Sequence, residues 1–173
     1  LAKGLKDSYG GGKTILSEDE ARKTLEDFQK TLMAKQAETM NKLAGKNKGE
    51  GEKFLAENGK KEGVKTLPSG LQYKEIAPGA GKSPKATDTV TTHYKGTLID
   101  GTEFDSSYKR GEPVSFPVSG VIAGWTEALQ LMKEGAKWQL FVPPNLAYGE
   151  RGAGREIGPN ATLIFEVELI SIQ

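Results

Sequence analysis

The 173-residue chain contains no cysteine and a single histidine, His93. Without cysteine it can form no disulfide, thiolate nucleophile or cysteine-based zinc site. One histidine is too few for a histidine metal cluster, and we expect no metal and no other cofactor. His93 stands in the middle of a predicted strand, where a structural histidine is more common than a catalytic base. Catalysis by an activated nucleophile, as in hydrolases, is therefore disfavoured.

An excess of charge of one sign and long apolar runs are also lacking. The chain has 24 Lys and Arg against 23 Asp and Glu, so net charge gives no general attraction to nucleic acid. No apolar run approaches the roughly 20 residues of a transmembrane helix, and we expect no membrane span. No signal peptide is recognised. The chain begins with Leu1 rather than Met, which is typical of a processed protein or a trimmed fragment.

Proline is absent from the first part of the chain, and aromatic residues are scarce there. All eight prolines lie at or after Pro68, and ten of the 13 aromatic residues lie after residue 65. This change in composition predicts a helical N-terminal segment, residues 1–65, followed by a second domain, residues 66–173.

The N-terminal segment has the pattern of a long amphipathic helix. Ser17–Glu20 has the spacing of a capping box, and Asn58–Gly59 is a plausible stop. A narrow apolar stripe comprises Leu25, Phe28, Leu32, Met40 and Leu43. A lone helix cannot bury this stripe, so the stripe predicts a partner: another helix, a second copy of the chain or a client protein. The alternative is that the helix packs on the chain's own domain. The glycines of Gly45–Gly51 weaken the helix, and Ala2–Tyr9 reads as the end of an earlier one.

The second domain reads as strands around one helix. The predicted strands are Leu71–Ile76, Val90–Ile99, Thr102–Asp105, Val114–Val118, Lys137–Val142 and Thr162–Ile172. Asp100–Gly101 is a hairpin signal, Pro113 and Pro117 indicate an edge strand or a bulge, and Trp125–Met132 has helical spacing. These elements predict an α+β fold with an antiparallel sheet of about five to six strands wrapped on one short helix.

A long loop rich in proline and glycine follows Val142 and carries Tyr148. Loops of this length are usually functional or disordered. Gly149–Gly154 lacks the Gly-Lys-Ser/Thr ending of a phosphate loop. The remaining aromatic residues of the domain are either core or the wall of an apolar pocket, with Trp125, at the start of the helix, suited to be its floor.

Four separated motifs, in order and at the right spacing, resemble the FK506-binding protein (FKBP) family of peptidyl-prolyl isomerases. They are Val90–Ser107, Val121–Trp125, Leu146–Gly149 and Asn160–Phe165. The helical first part, leading into Gly63–Tyr73, resembles the macrophage infectivity potentiator and FkpA branch of that family, whose members are bacterial dimers of the periplasm or outer-membrane surface.

The resemblance implies Asp105 and Tyr148 as catalytic residues. The substrate-binding residues that it implies are Tyr94, Phe104, Arg110, Val114, Phe116, Val121, Ile122, Trp125, Ile157 and Phe165. Trp125 would be the floor, and Asp105 would accept from Tyr94 and pair with Arg110. Val114, Ala153 and Gly158 depart from residues that many members carry, which leaves the rim of the pocket and its peptide preference open.

The implied function is rotation about X–Pro bonds in peptides and folding proteins, with binding of FK506 and rapamycin-type macrolides. The implied assembly is a homodimer for a full-length protein and a monomer for a chain shortened to this length. Two alternatives are a proline-peptide binding module with incidental turnover and a holdase chaperone that uses the apolar stripe. Low turnover with normal macrolide affinity favours the first. Suppression of client aggregation that survives pocket mutation but not removal of residues 1–65 favours the second.

Overall fold

A computed structural model describes residues 18–173, which begin with one long helix, α1, Glu18–Asn58. The helix is continuous through Gly45–Gly51, so these glycines do not break it. It ends at the predicted stop, where the amide of Gly59 donates to the carbonyl of Leu55 at 2.9 Å. The predicted cap Ser17 and the predicted helical segment Ala2–Tyr9 lie outside the described residues.

The described residues divide into two units, residues 18–41 and residues 42–173. In the described part of the first unit, the apolar side chains of α1 are exposed, for example Phe28 at 63% and Met33 at 67%. None of the helices within residues 18–173 offers a stretch both long and apolar enough to span a bilayer.

Seven strands of the second unit form one antiparallel sheet in the order β1-β2-β6-β7-β3-β4, with β5 also paired to β3. The strands are β1 Val64–Thr66, β2 Gln72–Ala77, β3 Thr89–Leu98, β4 Glu103–Ser106, β5 Val114–Pro117, β6 Lys137–Val142 and β7 Leu163–Ile172. The sequence predicts six of them to within one residue at each end. The seventh, β1, has three residues, too few to show alternation, and pairing with β2 defines it.

Two turn and edge predictions are confirmed. Gly101 has a φ of 88° in the β3–β4 hairpin, a conformation that glycine adopts without strain. The preceding Asp100 side chain accepts from the amide of Thr102 at 2.9 Å. Strand β5, which ends in Pro117, pairs with β3 alone, so the missing amide hydrogen of the proline costs the sheet little.

A short helix, α2 Ser107–Arg110, follows β4, and a longer one, α3 Ala123–Leu131, packs on the sheet. Helix α3 begins two residues before its predicted start, because the carbonyl of Ile122 accepts from the amides of Trp125 and Thr126. Its buried residues include Trp125, Ala128 and Leu129. They complete one core with the inward residues of β3, β6 and β7.

The last turns of α1 pack on the sheet within the second unit. The rings of Phe54 and Phe141 lie 5.9 Å apart. The side chain of Asn58, 1% exposed, donates to Gln72 at 3.0 Å, and Gln72 donates to the carbonyl of Leu55 at 2.9 Å. The predicted domain boundary between residues 65 and 66 lies within β1 and stays a prediction.

Candidate active site

A cleft of about 610 Å³ opens between α3, the sheet and the long loop after β6. Ten of the twelve predicted site residues line it: Tyr94, Phe104, Asp105, Phe116, Val121, Ile122, Trp125, Tyr148, Ile157 and Phe165. They come from four strands, one helix and two loops. The sequence therefore predicts the composition of the cleft, and the fold brings these distant segments together.

Trp125 lies at the bottom of the cleft and is 4% exposed. Its ring meets those of Tyr94, Phe116 and Phe165 edge-to-face, with centroid distances of 5.3, 5.9 and 5.3 Å. Such pairs contribute about 0.5–1.5 kcal/mol each beyond the burial of their area. The indole N–H is buried and has no hydrogen-bond partner among the described residues. The floor is thus a rigid aromatic surface.

Phe104 and Asp105 both line the cleft, although neighbouring residues of a regular strand point to opposite faces. The pairing of β3 with β4 shifts register between Gly96 and Thr97, opposite these residues. Such irregularities redirect side chains next to active sites. One strand thereby supplies an apolar wall and a carboxylate to the same cavity.

The polar side of the cleft is a closed triangle of hydrogen bonds. The hydroxyl of Tyr94 donates to Asp105 Oδ2 at 2.5 Å, Arg110 Nη1 donates to Asp105 Oδ1 at 2.5 Å, and Arg110 Nη2 donates to the Tyr94 oxygen at 2.8 Å. Burial alone would raise the pKa of Asp105, but the hydrogen bonds from Tyr94 and Arg110 and the guanidinium charge lower it below its usual value. Burial, together with the carboxylate of Asp105, raises the pKa of Tyr94. At neutral pH Asp105 is therefore ionised and Tyr94 protonated.

Arg110 and Val114 are the two predicted residues that do not line the cleft. The guanidinium of Arg110 lies 5.6 Å from the centroid of the Tyr94 ring and supports the cleft wall through the triangle. Val114 pairs with Thr92 across the sheet and packs, half-buried, on the core. Their direct contact with substrate stays a prediction.

The loop of residues 143–162, called the flap below, carries Tyr148 and Ile157 over the cleft. Ala153 and Ile157 exchange two backbone hydrogen bonds at its tip, of 2.8 and 3.1 Å. Gly152 is required there, because its φ is 64° and a Cβ would lie 2.2 Å from the carbonyl oxygen of Ile157. The predicted functional loop is a hydrogen-bonded element that holds Tyr148, 41% exposed, at the rim.

His93 lies on the opposite face of β3 from Tyr94, as the alternation of the strand predicts. Its Nδ1 is 2.9 Å from the hydroxyl of Ser107, and its ring stacks on Tyr108 at 4.7 Å. It does not line the cleft.

Sequence reasoning missed four residues that line the cleft: Gly120, Ala153, Gly154 and Glu156. Three of them lie on the flap tip, and only the position of Ala153 drew attention from the sequence. For Ala153 and Gly154 the available signal was a small residue on the loop that carries Tyr148, and Glu156 offered none. Gly120 precedes Val121 and could have been found from that neighbour.

Comparison with known proteins agrees with this geometry. Residues 81–170 match the family model described as FKBP-type peptidyl-prolyl cis-trans isomerase, and residues 1–74 match the domain amino terminal to FKBP-type peptidyl-prolyl isomerase. The chain belongs to the FKBP-type peptidyl-prolyl cis-trans isomerases. As an enzyme of this family, it speeds rotation about X–Pro bonds.

Relatives of this FKBP-type isomerase extend along its whole length. It is 54% identical over 173 residues to the outer membrane protein MIP of Legionella longbeachae, covering 100% of this chain and 74% of that protein. It is 48% identical over 172 residues to the FKBP-type 22 kDa peptidyl-prolyl cis-trans isomerase of Escherichia coli, covering 99% of this chain and 82% of that protein. The crystal structure of FkpA from Escherichia coli superposes with a TM-score of 0.86 at 44% identity, covering 100% of this chain and 80% of that chain. The predicted resemblance to the branch that contains these proteins is confirmed.

Proposed function

We propose that the aromatic cleft is the isomerisation site, which seats a proline ring on Trp125 while the preceding imide bond rotates without any proton transfer. The observation that carries the proposal is the three-ring collar around Trp125 at the bottom of a cavity with one polar side. Rotation about the imide bond breaks no covalent bond, so the reaction requires no acid or base group. The substrates are proline-containing peptides and unfolded proteins.

The catalytic advantage comes from preferring the twisted imide over the planar one. The barrier of about 18–20 kcal/mol reflects the loss of amide resonance, which places partial negative charge on the oxygen. Twisting removes that charge, so a water-poor aromatic cavity penalises the planar form more than the twisted form. Each 1.36 kcal/mol of this difference is worth about a factor of ten in rate.

The polar groups at the rim orient the bond that rotates. In this proposal the hydroxyl of Tyr148 and the backbone N–H of Ile122 donate to carbonyl groups of the substrate. Asp105 accepts hydrogen bonds from Tyr94 and Arg110, which holds both side chains in place, and it lines the cleft. The two catalytic residues, Asp105 and Tyr148, thus position the substrate and stabilise its twisted form.

A protease-coupled assay on a proline peptide tests this proposal, together with titration by FK506 or rapamycin. A macrolide that fills the cavity over Trp125 is expected to quench tryptophan fluorescence and to inhibit turnover competitively. Turnover that persists with the macrolide bound would place the reaction outside this cleft. Normal macrolide affinity with negligible turnover would instead favour a binding module.

Asp105→Leu is expected to lower kcat/KM on the order of tenfold, because the hydroxyl of Tyr94 and the guanidinium of Arg110 lose their shared acceptor. Circular dichroism should show an unchanged fold, since Asp105 is partly exposed at 41%. Asp100→Leu is the matched control, because the Asp100 carboxylate caps a turn outside the cleft. Equal losses in the two variants would contradict a specific role for Asp105.

The same network predicts the pH profile of wild-type kcat/KM. The pKa of Asp105 is lowered in the folded protein, so its contribution is fully present above the ordinary carboxyl pKa of about 3.9 and is lost only as the pH falls through the lowered value. The profile should therefore be flat from about pH 5 to pH 9. A bell-shaped profile centred near neutrality would indicate proton transfer and contradict the mechanism.

We also propose that the N-terminal segment, residues 1–65, makes a homodimer contact in the complete protein, and that residues 66–173 form the isomerase domain. Support comes from the exposed apolar side chains of Leu25, Phe28 and Met33 on the first half of α1. Light scattering of the 173-residue chain at two concentrations is expected to give the monomer mass, as the resemblance implies for a chain shortened to this length, whereas a full-length protein should give the dimer mass, which Phe28→Glu should lower. A dimer mass of the full-length protein that Phe28→Glu leaves unchanged would contradict dimerisation through this segment.

The same exposed side chains support a holdase activity as a second function. If the Trp125→Ala variant still suppresses client aggregation and the Phe28→Glu variant does not, the holdase activity is separate from isomerisation. For the cell compartment we propose the bacterial envelope, meaning the periplasm or outer-membrane surface, on the strength of the relative named outer membrane protein MIP.

A further inference from the structure

The second half of α1 lies against the base of the flap, meaning residues 158–162. These residues are far from the helix along the chain. The side chain of Asn47 donates from Nδ2 to the carbonyl oxygen of Pro159 at 2.8 Å, across 112 residues of sequence. The next residue, Asn160, donates its amide to the carbonyl of Gly149 at 2.8 Å. Gly149 is the neighbour of Tyr148. Asn47 is therefore connected to the residue that follows Tyr148 through two hydrogen bonds, one from its side chain and one between backbone groups.

The glycines of α1 show that this approach is close. A Cβ added at Gly51 would lie 2.3 Å from Oγ1 and 3.3 Å from Cβ of Thr162, a flap residue that is 3% exposed. A Cβ at Gly45 or Gly49 would meet nothing within 4 Å. Glycine is costly inside a helix, and at Gly51 the contact with the flap supplies the reason for it.

A third contact lies one turn before Asn47. A Cβ at Gly158 of the flap would lie 3.1 Å from both Asn47 Nδ2 and Leu43 Cδ2. Leu43, Asn47 and Gly51 are spaced four residues apart, so they form one face of the helix. A crevice of about 250 Å³ beside this face shares Glu156 with the aromatic cleft. The helix face thus reaches the rim of the site.

Asn160 has an unusual backbone conformation in the flap base. Among the described residues it is the only non-glycine with positive φ, at 56°. Asparagine is one of the few non-glycine residues that tolerate this conformation. The hydrogen bonds from Asn47 to the carbonyl of Pro159 and from the amide of Asn160 to Gly149 both involve the peptide unit that joins Pro159 to Asn160, so they hold this residue on its N-terminal side.

We propose that Leu43, Asn47 and Gly51 form a clamp that fixes the flap base and thereby positions Tyr148 and Ile157 over the substrate. Asn47 acts as a positioning residue, because it supports the flap without lining the aromatic cleft. The helix that precedes the catalytic domain is then a working part of the active site. The inference rests on the proposed role of the cleft and of Tyr148.

Asn47→Ala and Asn47→Asp test the hydrogen bond to Pro159. Both remove the donor, and the aspartate keeps the size of the side chain. Loss of one hydrogen bond at this position is expected to lower kcat/KM by roughly two- to tenfold. Asn41→Ala, on the exposed part of the same helix, is the matched control and should retain wild-type activity.

Gly51→Ala and Gly49→Ala test the close approach independently of hydrogen bonding. Helix propensity favours alanine over glycine at both positions. Gly49→Ala should therefore leave activity unchanged and raise thermal stability, whereas Gly51→Ala should lower kcat/KM by pushing the helix away from Thr162. Unchanged circular dichroism would show that Gly51→Ala is folded.

A double-mutant cycle with Tyr148→Phe separates positioning from general stability. If Asn47 acts through Tyr148, Asn47→Ala should lower kcat with little change in KM and should cost much less in the Tyr148→Phe background. Wild-type kcat/KM in both Asn47 variants, or losses that simply multiply in the double variant, would overturn the clamp. Trp125→Ala distinguishes the failure of the clamp from the failure of the proposed site. If Trp125→Ala loses activity while both Asn47 variants keep it, only the clamp is refuted. If Trp125→Ala keeps full activity, the cleft is refuted as the site.

Discussion

Trp125→Ala is expected to lower kcat/KM on the order of 100-fold and to produce the largest loss of activity among single substitutions in the cleft. The substitution removes the floor under the proline ring and the three edge-to-face contacts with Tyr94, Phe116 and Phe165. Replacing a buried tryptophan by alanine typically costs about 3–5 kcal/mol of stability. Catalysis should therefore be measured at a temperature where circular dichroism shows the variant to be folded.

Trp138 provides the matched control for this substitution, because it is the second of the two tryptophans and is 6% exposed. It stacks on Tyr73 with centroids 4.1 Å apart, and it does not line the cleft. Trp138→Ala should lower the melting temperature while the activity of the folded fraction stays near wild type. Full activity of folded Trp125→Ala would remove the basis of the proposed site.

Gly96→Val is expected to cause the second large effect, a combined loss of stability and substrate binding. A Cβ at Gly96 would lie 2.5 Å from two atoms of the Phe104 ring and 2.9 Å from the Phe165 ring. Valine would otherwise suit a strand interior, so a loss would be due to these contacts. Overpacking of a filled core typically costs about 1–3 kcal/mol. The rings of Phe104 and Phe165 would be displaced into the cleft, where they would obstruct substrate binding. KM should therefore rise more than kcat falls.

A second-site variant tests the cause of that loss. Phe104→Leu shortens the side chain that approaches Gly96 most closely, so the double variant Gly96→Val/Phe104→Leu should regain part of the melting temperature lost in Gly96→Val. Thermal unfolding followed by circular dichroism measures this recovery. A double variant less stable than both single variants would show that the ring contacts are not the cause.

Local sequence patterns predicted the class of the fold, and the resemblance to the family predicted ten of the fourteen residues that line the cleft. Alternation in Val90–Ile99 and the Asp100–Gly101 turn are local features, because they reflect backbone geometry and side-chain chemistry of adjacent residues. Features of this kind predicted six of the seven strands to within one residue at each end. The motifs around Trp125 and Tyr148 then indicated the family, which the comparisons confirm.

Contacts between residues that are far apart in the sequence depend on how the whole chain packs. The resemblance predicted that Asp105 contacts Tyr94 and Arg110, but it did not predict the register shift in the β3–β4 pairing opposite Phe104 and Asp105, because periodicity within one strand cannot show where its pairing with a partner strand shifts. Gly51 weakens the helix when α1 is considered alone, but a Cβ at this position would collide with Thr162. The sequence shows that the position has no side chain, whereas the packing shows which neighbour occupies that space. Local sequence specifies which face of an element is buried, whereas the partner of that face is chosen by packing of the whole chain.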